Sequence, residues 1–245
     1  MSEFSEATDC DIGFVLVHGA GFDVWIWEEL VSLVDAPMLP VRFPARAAEQ
    51  PVRDNLQLVD YVEAIVKQIE EWDVSTVILV GHSIGGSICV EVADRLSDCT
   101  AGFVGLCAAI PECGQSFMSC LPFHEQVVQR FIMRLVGTKP PERIIKRSLC
   151  AELTDEQADD VISRFVPESR HLYTDPVNGS IPNVLRMYIQ TQNDESIHPD
   201  QQVTSAETLG TNEVITLNSG HLPMLSCPRE LASILLQFRD QMGTR

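Results

Sequence analysis

An α/β protein built on a mainly parallel sheet of about six strands is what this sequence predicts, on three observations. Short apolar β-runs alternate along the chain with helix-period segments, the pattern of a sheet covered on both faces. One of those runs ends in Gly81-His82-Ser83-Ile84-Gly85 and passes straight into a helical pattern. The alternation then breaks between residues 111 and 184, where proline-punctuated helical patterns replace it. At 245 residues the chain suits one domain with a sizeable core. The expected division is a core of residues 1–110 and 185–245, with 111–184 inserted as a helical unit.

Taken in order, Gly13-Phe14-Val15-Leu16-Val17 reads as the first strand and runs into His18-Gly19-Ala20-Gly21. Only about ten residues precede it, which leaves little room for a further hairpin. A helical pattern covers 24–34, beginning with Trp25 and Trp27, and a strand follows near 38–42. A helix near 54–72, a strand near 76–80, a helix near 86–96 and a strand near 102–109 come next. Within the insertion, 125–136, 141–149 and 155–165 are helical by pattern. Strands near 185–190 and 213–217 and a helix near 228–241 complete the chain.

The Gly-x-Ser-x-Gly stretch carries the chemistry. Between a β-run and a helix it reads as a nucleophile elbow, a sharp turn that holds a serine hydroxyl out at the top of a sheet. Cβ atoms at Gly81 and Gly85 would crowd that turn. An acyl-transfer serine needs two backbone N–H groups aimed at the developing oxyanion. The residue after the serine, Ile84, supplies one, and the His-Gly loop of the first strand supplies the other, from Ala20 or its neighbour Gly21. Of six histidines, His221 alone sits on a loop between the last strand and the last helix, the place for the general base. The orienting acid belongs after the penultimate strand, where Asp194 is preferred over Glu195 and Asp200.

These stretches resemble the α/β-hydrolases and, within that superfamily, the small plant methylesterase and hydroxynitrile lyase branch. The matching segments are Val15-Leu16-Val17-His18-Gly19-Ala20-Gly21, Gly81-His82-Ser83-Ile84-Gly85-Gly86, Asn193-Asp194-Glu195 and Gly220-His221-Leu222-Pro223-Met224-Leu225. The resemblance implies an α/β-hydrolase fold whose insertion, 111–184, caps the active site, and it independently supports Asp194 as the triad acid. It also implies ester hydrolysis over cyanohydrin cleavage. The lyases of that branch carry a lysine directly after the triad histidine, where this chain has Leu222, and a threonine-bearing loop where it has Ala20. Expected substrate-contacting residues are Gly21, Trp25, Phe123 and Leu222. Phe117, Leu121, Phe131 and Met133 serve either the pocket or the cap's own packing.

Composition narrows the partners. The net charge is −18, and lysine occurs only at 67, 139 and 146, which argues against nucleic acid or an anionic membrane. No apolar run is long enough to span a bilayer. Met1-Ser2-Glu3-Phe4-Ser5-Glu6 lacks the basic and apolar regions of a signal peptide, so a cytoplasmic protein is expected. The eight cysteines are scattered, as buried reduced thiols are. No metal or cofactor is expected, and the partner is a small-molecule ester. The oligomeric state stays open, a homodimer included. Thioester, amide or carbon–carbon bond cleavage on the same scaffold, or a non-catalytic ligand receptor, are the competing readings.

Overall fold

The computed structural model describes residues 12–211 and 213–242; the acidic N-terminal segment read above lies outside them. Six strands form one all-parallel sheet: β1 (Ile12–Val17), β2 (Met38–Pro40), β3 (Thr76–His82), β4 (Thr100–Leu106), β5 (Leu185–Thr191) and β6 (Val214–Leu217). Their spatial order is β2-β1-β3-β4-β5-β6. The fold is the expected α/β-hydrolase arrangement, with the Ser-bearing strand in the interior of the sheet. Strand geometry explains the covering on both faces, because successive side chains point to opposite sides. Phe14, Leu16, Ile78 and Val80 enter one apolar core, whereas Val15, Val17, Val77 and Leu79 enter the other.

The helices that fill these two layers follow in chain order. The expected helix at 24–34 is divided. A 3₁₀ turn at Val24–Trp27, capped by the Asp23 carboxylate on the Val24 amide, leads into α1 (Glu28–Leu33). The helix expected at 54–72 is the amphipathic α3 (Leu58–Glu70), which starts at a Gln57–Asp60 capping box and is preceded by a single turn, α2 (Gln50–Arg53). Helix α4 (Gly85–Arg95) leaves the elbow as expected. Strand β4 stops at Leu106, earlier than the apolar run 102–109 implied, because Cys107 adopts φ +35° and turns the chain. The residues after it wrap the elbow instead, Ala109 donating its N–H to the Ser83 carbonyl at 3.0 Å.

Between β4 and β5 lie α5 (Phe123–Val136), α6 (Glu142–Ser148), α7 (Asp155–Arg164) and α8 (His171–Thr174). Pro122 and Pro141 stand directly before α5 and α6, since a ring that cannot donate an N–H costs nothing there. Helix α9 (Pro199–Leu209) was not anticipated, and α10 (Pro223–Ser226) and α11 (Pro228–Asp240) close the chain. Side chains of α1 and α11, among them Leu30, Leu231, Leu235 and Phe238, pack on one face of the sheet. Those of α3, α4 and α9 (Ile65, Ile88, Leu209) pack on the other. Among the described residues no helix is long and apolar enough to cross a membrane.

Candidate active site

A parallel sheet collects the C-terminal ends of its strands along one edge, where the following loops converge. Here the register pairs Val17 with Gly81, His82 with Leu106, and Thr191 with Leu217. The loops after β1, β3, β5 and β6 thus bring Ala20, Ser83, Asp194 and His221 to one edge.

Ser83 occupies the left-handed region at φ +56°, a conformation that a non-glycine residue keeps only where its surroundings impose it. Its amide donates to the Leu106 carbonyl, and its carbonyl accepts from Gly86 and Ala109. The glycines permit this closeness. A Cβ on Gly81 would stand 2.7 Å from the Gly86 Cα, and one on Gly85 would stand 2.6 Å from the Val17 carbonyl oxygen.

His221 and Asp194 form a buried pair, Nδ1 to Oδ2 at 2.8 Å, with both side chains almost wholly shielded. Every acceptor direction of Asp194 is engaged. Oδ1 takes the amides of Ser196 (2.7 Å) and Ile197 (2.9 Å), while Oδ2 also takes the Thr191 hydroxyl and the Gln202 amide. Burial raises a carboxyl's pKa, but here the His221 ring and the two backbone amides outweigh it and hold Asp194 below its ordinary value. An ionised Asp194 fixes the proton of His221 on Nδ1 and leaves Nε2 as the basic nitrogen. The rivals Glu195 and Asp200 are exposed, outside this lattice.

Ser83, Ile84, Ala20 and His221 line a common cavity of about 180 Å³. Apart from Ser196, its remaining wall comes from the segment between β4 and β5, including Phe117, Leu121, Phe165 and Tyr173. The Gly21 amide donates to the Glu168 carboxylate at 3.4 Å, and Ala20 lines the cavity beside Ser83. Glu168 is itself buried, paired with Arg46 at 2.5 Å and accepting from Tyr61 at 3.1 Å. No sequence signal marked this ionic lock, because its members lie in three distant and unremarkable stretches.

The His82 ring is buried and both of its nitrogens are engaged. Its Nδ1 accepts the Gly19 amide at 3.1 Å and its Nε2–H donates to the His221 carbonyl at 2.9 Å. One ring thus ties the loop of Ala20 to the loop of His221. Burial, reinforced by the neighbouring His221, pushes its pKa down to about 3 and keeps it neutral. His82, Cys107 and His221 lie close enough to suggest a metal cluster. Both nitrogens of His82 and Nδ1 of His221 are already hydrogen-bonded, so the donor set is a structural lattice.

Four expected substrate contacts lie elsewhere. Gly21 is committed to Glu168, as above. Trp25 sits in a separate hollow under the Arg164 guanidinium, 4.3 Å from its ring. Phe123 is 79% exposed at the start of α5, and Leu222 is buried in the core with Met224. Phe117 and Leu121 do reach the cavity, whereas Phe131 faces solvent. A larger hollow of about 440 Å³, bordered by Glu91, Arg95, His171 and Asp175, contains none of the motif residues.

Most of the chain is similar to known proteins. The chain is 27% identical over 238 residues to a carbendazim hydrolyzing esterase of Nocardioides sp. (strain SG-4G), covering 91% of this chain and 97% of that one. It is 26% identical to methylesterase 7 of Arabidopsis thaliana, covering 93% and 96%. An extracellular alpha/beta-hydrolase from a Paenibacillus species superimposes with a TM-score of 0.80 at 20% identity, covering 92% of this chain and 98% of that one, which concerns the fold alone. The model of the alpha/beta hydrolase family matches residues 14–234, nearly the whole chain, and with the serine elbow at the centre of a parallel sheet it places this protein in that family.

Proposed function

We propose that this protein is a carboxylic ester hydrolase working through an acyl-enzyme, with Ser83 as nucleophile, His221 as base and Asp194 as orienting acid. The observation that carries the reading is that His221, bonded to the buried Asp194, and the left-handed Ser83 line the same cavity. His221 Nε2 takes the Ser83 proton as Oγ attacks the ester carbonyl. The Ala20 and Ile84 amides stabilise the oxyanion, and the alcohol leaves with the proton from His221. Water then repeats the sequence and releases the acid. Names of the relatives, methylesterases among them, favour an ester of a small alcohol. A cavity of about 180 Å³ suits a small reacting group. Residues 111–184 act as the cap, since they supply most of the cavity's outer wall. Seven described cysteines are free thiols, which suits a reducing, cytoplasmic setting.

The test is hydrolysis of p-nitrophenyl acetate by wild type and Ser83→Ala. A pre-steady-state burst in wild type and a loss in kcat on the order of 10⁶ in the variant are expected. A folded wild type without turnover on this or longer esters overturns the reading and points to carbon–carbon cleavage or a ligand receptor.

A further inference from the structure

The cavity at Ser83 shares part of its lining with a neighbouring cavity. Gln129, Thr138, Pro140, Ile144 and Tyr173 line it, and the same five residues line a second cavity of about 310 Å³ between α5 and α6. Beyond this shared border the outer cavity is walled by Ile132, Met133, Gly137 and Pro141, and Lys139 is its one charged lining residue. We infer that the two cavities form one bent channel, and that its outer arm takes the straight hydrocarbon chain of the substrate's acyl group. The inference rests on the ester-hydrolase reading and deepens it.

Three observations support that occupant. First, polarity is graded along the path. Ser83, Ser196 and His221 stand at the inner end, where the reacting carbonyl must lie, and aliphatic groups dominate the outer end. Even at the border, the Thr138 hydroxyl is already donating to the Glu168 carbonyl at 2.5 Å. A chain placed there would meet few polar groups that it strips of water.

Second, the arm exposes apolar surface that a chain would cover. Ile132 is 46% and Ile144 41% exposed, on two different helices flanking one groove. Burying a chain between them removes apolar area from water on both sides, the usual driving force for such binding.

Third, the inner cavity is small. At about 180 Å³ it lies below the usual range for a site that encloses a whole medium-sized ligand. A longer substrate must therefore extend out of it, and the outer arm is the apolar space that shares its lining. The chain is assigned to the acyl side because the relatives named methylesterases act, by name, on esters whose alcohol part is a single carbon.

The experiment is a pH-stat assay of straight-chain methyl esters, butanoate to decanoate, each below its solubility limit. Methyl esters keep the leaving group too small to occupy the arm. In wild type, kcat/KM should rise about fourfold per added methylene over the part of the chain the arm holds. Ile132→Asp, a change at an exposed site, sets a charge in the arm and should lower the octanoate-to-butanoate ratio at least about tenfold. Ile132→Leu should retain the ratio. A flat or falling wild-type profile, or an equally steep one in Ile132→Asp, overturns the channel while ester hydrolysis stands. A rise along alkyl acetates but not along methyl esters overturns the acyl assignment. No turnover of any ester by folded wild type overturns the underlying reading as well.

Discussion

Asp194 shows how much a single carboxylate is asked to hold. Five hydrogen bonds converge on it, from His221, Thr191, Ser196, Ile197 and Gln202. Only an ionised, acceptor-only group satisfies all of them, and that is what fixes the His221 tautomer. Asp194→Asn replaces one acceptor oxygen with a donor and presents the ring with the wrong partner. A fall in kcat on the order of 10³–10⁴, with KM little changed, is the expected result of steady-state assays of the pure variant. His82 differs in kind, because it touches no reacting atom. Its neutral ring joins two loops through backbone groups, so any residue there must both donate and accept.

At the scale of elements, α9 is the support beneath the acid. Gln202 is fully buried on it and bonds back to the loop that carries Asp194. Its Oε1 accepts the Thr191 amide at 2.9 Å, and its Nε2 donates to the Ile197 carbonyl at 2.7 Å. The loop is thereby clamped at both ends. The other side of the clamp is set by strand ends, with Asn193 donating to the Ser219 carbonyl beside the His221 loop. Gln202→Leu leaves buried amide and carbonyl groups without partners and should cost about 1–3 kcal/mol in urea unfolding. Activity should fall with it, since Asp194 loses both a donor and its fixed loop.

Over the whole molecule, buried ionisable groups determine how the fold answers to acid. Burial lowers His82 to about 3, and burial with the Arg46 charge lowers His18 well below its ordinary value. Both stay neutral in the folded state but bind protons when unfolded below pH about 6.5, so stability is full above that pH and is lost as pH falls. Two such protons give a slope of up to about 2.7 kcal/mol per pH unit. Glu168 has the opposite sense. Burial raises its carboxyl against the pull of Arg46, so just above its ordinary pKa of 4.5 it favours the folded state as pH falls. Urea midpoints measured from pH 7 to 5 should therefore drop steadily, and a flat profile would show that the two histidines are not held neutral.

The sequence by itself determined the sheet and the elbow and marked the residues proposed as partners of Ser83, because those signals are local. A β-run, two crowding-intolerant glycines and a helix onset stand within a dozen residues, and the His221 loop stands between the last two elements. It also marked the start of α9, had the Pro199 at the first helical position been read with His198 as its cap. The tertiary structure alone decided that the Gly21 amide is taken up by Glu168, because that carboxylate lies far along the chain. It alone decided the pocket wall too. Phe117 and Phe123 are equally apolar and six residues apart, yet one lines the cavity and the other meets solvent. Which face of a helix between β4 and β5 turns inward depends on how helices pack over the sheet edge, and no periodicity within a single helix specifies that.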